Sequence, residues 1–305
     1  MEISNNAALL IGNGINLYSG SYSWKKLLKS IAANQNEKDF LDIQNLDISY
    51  PEFFDLLCFN LGEKENRYKN LKPKIIKQVK EWKQQEQHKN LFDFAKINQI
   101  PILTTNYDTN LLSDEFVKQI KKLHKKSSRK NFCPLRFDKN HFTDIYPWTS
   151  YYSDHVISSV QNDFALWHIH GFLYYKRSLV IGAGDYAAVI RRLEKFLYGK
   201  NGLFENNQTW LGKNSWLDIF FHKELYIIGL ALEAQEISLR WLFMEREKYF
   251  RKFPEKRKKT IYVQVTENGT KKISETKKFF LESLGIIIRE LKTYDDIYSS
   301  WSIKN

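Results

Sequence analysis

Short runs of apolar residues recur along the chain and alternate with amphipathic stretches. The runs that predict buried strands are residues 7–12, 100–105, 165–171, 178–183, 224–230, 260–265 and 285–290. The stretches that predict helices are residues 23–33, 68–85, 186–199, 233–250 and 274–284. Strands covered on both faces appear as continuous apolar runs, and alternating helices supply right-handed crossovers. The pattern therefore predicts an α/β fold with a mainly parallel sheet and helices on both faces.

Two long intervals interrupt this alternation. Nearly ninety residues of mostly helical pattern separate the first two predicted strands, far more than one crossover needs. A second interval, up to the strand at 165–171, is basic, aromatic and irregular. No Gly/Ser-rich linker divides the chain. We therefore predict a single domain over residues 1–305, with a helical insertion or subdomain at about 30–98 and an irregular basic insertion at about 113–160.

Composition narrows the class of protein. The 305 residues are 43% apolar and 15% aromatic, which excludes a disordered or collagen-like chain. No apolar run approaches the roughly 18 residues of a membrane span, and the first residues lack the features of a signal peptide. Cys58 and Cys133 are the only cysteines, which excludes a four-cysteine zinc site and favours a reducing compartment. We expect a cytoplasmic protein with no membrane contact.

The charge favours anionic partners. The net charge is +12, and much of it lies in residues 121–130, with six basic residues, and 244–259, with eight basic and three acidic residues. One interpretation is a solvated linker and a solvated helix end. The other is contact with nucleic acid or with an acidic protein surface, which would depend steeply on salt.

Gly12-Asn13-Gly14 follows the first predicted strand and precedes a helix. Glycines at this position let a backbone approach a ligand closely, and helix N–H groups favour phosphate. The dinucleotide-binding fingerprint has a third glycine, and Leu17 occupies that position. A plain tight turn remains the alternative.

Thr104–Asp108, with the sequence TTNYD, follows the second main strand. Asn106 and Asp108 at the carboxyl end of a buried strand would face the crevice where open α/β sheets bind ligands. The alternative is a local turn in which both side chains bond nearby backbone groups.

His168 and His170 alternate with Trp167 and Ile169 on the third strand and therefore share one face. A histidine at a strand end suits a general base, because its ordinary pKa is about 6.5. A structural histidine and, less favoured, a metal pair are the alternatives, since the spacing suggests no third ligand.

Gly229 and Leu230 follow a late strand and precede another helix. This again is a geometry in which backbone meets a ligand. Glu236 and Arg240 are four residues apart on that helix and could simply pair with each other.

The order of these motifs resembles the sirtuin superfamily. IGNG, TTNYD, a His-Gly pair and a late strand–Gly–helix segment that ends in arginine occur in that order over roughly residues 7–290. Within the superfamily, the chain is most similar to the bacterial antiphage-defence branch of NAD hydrolases, which are Thoeris-effector-like. Residues 261–290, with IYVQVTENG and FFLESLGIIIRE, also resemble the closing strand–helix–strand of that branch.

The chain departs from the family pattern at three places. Asn13 and Asn16 replace small residues of the first loop. Leu230 and Glu236 stand where the late motif usually has serine and aspartate. The paired CxxC motifs that hold the zinc of sirtuin deacylases are absent, which disfavours protein deacylation and leaves NAD cleavage.

The resemblance implies a Rossmann-like domain that takes NAD as a substrate and holds no zinc or other metal. It also implies that Asn106 orients water or the ribose, that Asp108 helps to hold nicotinamide and that His170 acts as a base. The NAD-binding residues that it implies are Gly12, Asn13, Gly14, Asn16, Thr105, Gly229 and Leu230.

The implied activity is cleavage of NAD to nicotinamide and ADP-ribose by an effector of a bacterial antiphage, abortive-infection system. We expect the activity to be off until it is triggered by homo-oligomerisation or by a partner such as a translocase-type ATPase. One alternative is an NAD-dependent deacylase or ADP-ribosyltransferase. The other is a non-catalytic nucleotide- or nucleic-acid-binding subunit of a defence complex.

Overall fold

The structure is a computed structural model, and it describes residues 1–18, 22–33, 48–60, 67–118, 136–137, 150–153, 156–205, 209–266, 273–299 and 301–304. Its helices within these residues are α1 (Gly14–Leu17), α2 (Trp24–Ala33), α3 (Tyr50–Asn60), α4 (Arg67–Val79), α5 (Glu86–Ile97), α6 (Ala183–Tyr198), α7 (Trp216–His222), α8 (Ile237–Lys252), α9 (Glu275–Ser283) and α10 (Asp295–Tyr298). Its strands are β1 (Glu2–Ser4), β2 (Ala7–Ile11), β3 (Ile102–Thr104), β4 (Arg136–Phe137), β5 (Ser150–Tyr151), β6 (Leu166–His168), β7 (Glu224–Ile228), β8 (Thr260–Val265), β9 (Ile286–Leu291) and β10 (Ser302–Lys304).

Six parallel strands form the central sheet, in the order β6-β3-β2-β7-β8-β9. Numbered by their place in the chain, these strands run third, second, first, fourth, fifth and sixth, which is the order of dinucleotide-binding Rossmann folds. The predicted α/β class with a mainly parallel sheet is confirmed. The strand order reverses between β2 and β7, and open sheets of this kind bind ligands at the carboxyl ends of the strands on either side of the reversal.

The sheet is covered by helices on both faces because its central strands are apolar on both faces. Every residue of β2 is buried. Leu9 and Ile11 belong to the core that includes the apolar faces of α2 to α5. Ala8 and Leu10 point to the opposite face and pack in the core with α6 to α9. This alternation follows from the two-residue period of a strand.

Helices α1 to α5 all lie between β2 and β3, in the interval where a helical insertion is predicted. Leu28, Phe54 and Ile75 bury side chains from α2, α3 and α4 in one core. The basic insertion predicted at about 113–160 falls largely outside the described residues. Its described end contacts the sheet edge, where Tyr152 forms a bridge to Leu166.

The strand predicted at residues 178–183 is wrong. Ser178 ends a 3-10 turn, and α6 already begins at Ala183. The carboxylate of Asp185 accepts hydrogen bonds from the backbone N–H groups of Ile181 and Gly182, at 3.1 and 3.2 Å, and so fixes the start of the helix. The apolar run is buried all the same, and Val180 N–H donates to the His170 carbonyl at 2.9 Å. Burial alone produced the apolar pattern there.

Candidate active site

The glycines after β2 lie against the loop after β7. Gly12 and Gly14 donate backbone hydrogen bonds to the carbonyls of Ile228 and Gly229, at 2.9 and 2.7 Å. A Cβ added to Gly12 would lie 2.5 Å from the Gly229 oxygen, and one added to Gly14 would lie 2.5 Å from the Gly229 Cα. The close approach that these glycines permit is therefore made here by the chain's own backbone.

The loop after β7 contains two residues in the left-handed region, Gly229 and Leu232, and two core residues, Leu230 and Leu232. Gly229 has a φ of +62°, in the left-handed region that favours glycine. Leu230 is buried in the core on the α6 to α9 face of the sheet. Its side chain therefore packs inside the protein and does not present a surface to a ligand.

Asn16 is the centre of a buried polar network. Its amide nitrogen donates to Asn13 Oδ1 and to Asp108 Oδ2, both at 2.9 Å. Its amide oxygen lies 2.9 Å from His88 Nε2 and 3.0 Å from Asn110 Nδ2. All of its hydrogen-bonding capacity is thus used within the protein, and the network joins the loop after β2, the loop after β3 and helix α5.

His88 enters the network as a neutral donor. Its Nδ1 accepts a hydrogen bond from the Gln85 N–H at 3.0 Å, so its proton is on Nε2, which faces Asn16. Burial lowers the pKa of His88 to about 4, and the ring is therefore neutral at physiological pH.

Asp108 also faces the network. Its Oδ2 accepts from Asn16, and its Oδ1 accepts from the Asn110 N–H at 2.9 Å. Burial raises the pKa of the Asp108 carboxyl, and these hydrogen bonds act in the opposite direction. The local turn that was one interpretation of this motif is therefore present. Asp108 bonds a neighbouring loop as well as its own backbone.

Asn106 leaves β3 next to the point where His170 leaves β6. Thr104 is paired with His168 across the two strands, so Asn106 and His170 each lie two residues beyond that pair. The Asn106 amide nitrogen donates to the Gly12 carbonyl at 3.3 Å. Its amide oxygen is buried and has no hydrogen-bond partner among the described residues. This oxygen is an unused acceptor directly beneath the glycine loop.

His168 is a structural histidine. Its Nε2 lies 3.0 Å from the Asp108 carbonyl, and its ring packs 4.7 Å from the ring of Phe172. Burial lowers its pKa to about 4. Because the neutral ring donates to a backbone carbonyl, its role is to hold the loop after β3.

His170 faces a small cavity at the carboxyl end of the sheet. Burial lowers its pKa to about 4, and the edge-on ring of Tyr186 lies 5.6 Å from its own. The cavity has a volume of about 60 Å³. Its lining residues are Trp24, Leu28, Tyr50, Pro51, Thr105, Tyr107, His170, Ile181, Tyr186, Gln235 and Glu236.

Glu236 lines the same cavity and immediately precedes α8. Its Oε2 is buried and has no hydrogen-bond partner in the described part of the chain. Burial raises the pKa of this carboxyl to about 7. The alternative in which Glu236 pairs with Arg240 does not hold, because Arg240 donates to the Leu232 carbonyl at 2.8 Å and lies over the ring of Phe280.

The cavity brings some predicted residues together and leaves others apart. Of the predicted catalytic residues, His170 lines it, whereas Asn106 and Asp108 do not. Of the predicted NAD-binding residues, only Thr105 does. Gly12, Asn13, Gly14, Asn16, Gly229 and Leu230 form the contacts between loops described above. The sequence marks Glu236 as a departure from the family pattern and as a possible partner of Arg240, and it gives no signal for His88.

Of the two basic runs, the structure describes only the one at residues 244–259. Residues 121–130 lie outside the described part of the chain. In the run at 244–259, Arg246 is buried and donates to the carbonyls of Phe220 and Lys223. Glu247 accepts from Arg251 and Arg257, at 2.9 and 2.8 Å. These cations therefore bond their own chain.

The part of the chain that the structure describes contains no group of three histidine, cysteine, aspartate or glutamate residues that could hold a metal ion. Its helices also include none that is long and apolar enough to cross a membrane.

No protein-family model matches this sequence, and no curated protein matches it significantly.

Proposed function

We propose that this protein hydrolyses NAD to nicotinamide and ADP-ribose. The observation that carries the proposal is a cavity at the carboxyl end of a Rossmann-ordered sheet that holds both an imidazole and an unpartnered carboxyl oxygen. Titratable groups whose pKa values burial shifts strongly within one cavity mark candidate functional sites. His170 and Glu236 are two such groups.

The position of the cavity supports a dinucleotide substrate. It is bordered by the segments that follow β3, β6 and β7, next to the strand-order reversal between β2 and β7. The orphaned Asn106 oxygen lies beneath Gly12 at the end of β2. A substrate that spans this edge would meet the Asn106 oxygen, the His170 imidazole and the Glu236 carboxyl in succession.

The chemistry asks little of the base. The glycosidic bond breaks with its electron pair moving to the pyridinium nitrogen, so that nicotinamide leaves as a neutral molecule and the ribose becomes oxocarbenium-like. Water then bonds to the ribose carbon and loses one proton. Water that attacks such a centre is strongly acidic, so a neutral imidazole with a pKa of about 4 is a sufficient acceptor in His170.

The proposal gives Asn106 and Asp108 different roles. The Asn106 oxygen would accept a hydrogen bond from water or from a ribose hydroxyl. Asp108 is a positioning residue, because both of its oxygens already accept hydrogen bonds from Asn16 and Asn110. Its loss would shift the loops of the site without removing a contact to substrate.

The loops must separate before a whole dinucleotide binds. At about 10–15 Å³ per water molecule, a cavity of about 60 Å³ admits roughly four to six waters, comparable to one aromatic ring. Beside this cavity, Gly12 and Gly14 lie against Gly229 and leave no room even for an added methyl group. The structure thus corresponds to an inactive enzyme under this proposal. A defence effector that is switched on by self-assembly, or by a partner such as a translocase-type ATPase, would remain in this form until triggered.

The test is incubation of the purified protein with NAD, followed by chromatography of the nucleotides. At protein concentrations that promote self-assembly, we expect nicotinamide and ADP-ribose in equal amounts, and we expect H170A and N106A to release neither. H222A and N98A are matched controls, and both should retain turnover. The ring of His222 bonds Asp218 outside the cavity, and Asn98 lies at the exposed end of α5. Full turnover by H170A would refute the proposal. A modified protein formed with each NAD consumed would favour acyl or ADP-ribosyl transfer at the same site.

A further inference from the structure

The buried Oε2 of Glu236 has no hydrogen-bond partner among the described residues. Burying an ionised carboxylate without a partner costs several kcal/mol. No described ion pair includes Glu236, and the nearby guanidinium of Arg240 is directed to the Leu232 carbonyl. His170, across the cavity, is neutral at physiological pH. When Glu236 ionises, no cationic side chain among the described residues compensates its charge.

The other walls suit a particular kind of cation. Trp24, Tyr50, Tyr107 and Tyr186 surround the space with aromatic rings, and the rings of Trp24 and Tyr107 meet edge-on with centroids 5.0 Å apart. Aromatic faces attract positive charge and favour organic cations that shed water easily. One carboxyl group among aromatic rings is a poor site for a metal ion, which requires several oxygen, nitrogen or sulfur ligands.

We propose that this cavity is a recognition pocket for a flat organic cation and that Glu236 selects its positive charge. Identifying this cation as the pyridinium ring of NAD rests on the proposed function. The pocket's volume is comparable to a single ring, so the ring would enter it while the rest of the substrate lies outside.

The charge selection has a consequence for kinetics. The ring is cationic before the glycosidic bond breaks and neutral afterwards, so Glu236 attracts the bound substrate more strongly than the product. An interaction made in the ground state and weakened in the transition state raises affinity without raising kcat. If hydrolysis occurs, E236Q should raise KM about tenfold or more and leave kcat unchanged or higher. Loss of kcat with an unchanged KM would make Glu236 a catalytic residue and overturn the recognition role.

The direct test uses probes that cannot be hydrolysed at a glycosidic bond. Titration calorimetry at pH 8 would compare the 1-methylnicotinamide cation with neutral nicotinamide, both binding to the unaltered full chain. We expect the cation to bind at least about tenfold more tightly, in line with a buried charge pair. E236Q should remove this preference. E233Q, which alters a neighbouring glutamate whose side chain is 58% exposed, should retain it.

Each other result counts against the pocket. Equal binding of both probes, or binding of neither, overturns the proposal on the unaltered protein and needs no variant to fold. Cation preference that persists in a folded E236Q overturns the role of Glu236. A protein that prefers the cation but releases no nicotinamide from NAD supports the pocket and refutes hydrolysis. Hydrolysis of NAD without cation preference supports the proposed function and refutes the pocket.

Discussion

Replacing Glu236 by glutamine should change how the stability of the protein depends on pH. The carboxyl pKa is 4.5 in its ordinary state and about 7 in the fold, because burial penalises the charge. The folded state therefore favours the neutral acid. The stability that this preference provides is fully present below pH 4.5 and is lost as the pH rises through 7.

The magnitude follows from the difference between the two pKa values. At about 1.4 kcal/mol for each pKa unit, ionising Glu236 inside the fold costs up to about 3 kcal/mol. Glutamine cannot ionise, so E236Q should gain this amount relative to the unaltered protein as the pH rises from 4.5 to 8. The glutamine amide adds buried donors, but their cost is the same at every pH. Only the pH-dependent part of the difference is diagnostic.

Urea unfolding of both proteins between pH 4.5 and 8 measures this difference. E233Q is the control, because it makes the same change at a neighbouring carboxyl whose side chain is 58% exposed, and its profile should run parallel to that of the unaltered protein. Burial keeps three histidines neutral, and their protonation at acid pH destabilises every variant equally; they are His88, His168 and His170. This contribution to the free energy of unfolding therefore cancels when two variants are compared. If E236Q also runs parallel to the unaltered protein, the carboxyl is solvated and our account of the cavity is wrong.

Two further substitutions test the contacts between the loops. G12A should lower stability by about 1–3 kcal/mol, measured by thermal unfolding, because its Cβ would lie 2.5 Å from the Gly229 oxygen. The control is G184A in α6, whose added Cβ meets no atom within 4 Å and should stabilise the protein slightly. Equal losses of stability in the two variants would contradict this reasoning. N16L should cost at least about 2 kcal/mol in urea unfolding, because it leaves the His88 N–H and other buried groups without partners; a neutral result would show that the network is dispensable.

The sheet could be predicted from the sequence because its central strands are buried on both faces. Five of its six strands lie within predicted runs and β9 extends one residue beyond its run, and the helices predicted from amphipathic pattern correspond to α2, α4, α6, α8 and α9. The run at 178–183 failed because a buried coil has the same composition as a buried strand. The short strands β1 and β10 have only three residues each and leave too little pattern to recognise.

The site was harder to predict because its contacts join distant parts of the chain. The glycines of the first loop were expected to approach a ligand, and their sequence could not show that they also approach Gly229. His88 lies 72 residues from Asn16 and on an insertion helix, so no local spacing connects them. Glu236 had a local signal, an acidic residue at the start of a helix after a strand and a glycine. A neighbouring arginine at helical spacing offered a simpler explanation, which the structure excludes.

The two sides of the cavity originate in different parts of the chain. Trp24, Leu28 and Tyr50 come from the helical segment between β2 and β3, whereas His170 and Glu236 come from loops anchored directly on the sheet. The wall formed by these three residues can thus vary in shape without altering the strands that carry His170 and Glu236. Exchanging that segment between related chains would be the most economical way to redirect which molecule enters, while the chemistry beneath it stays the same.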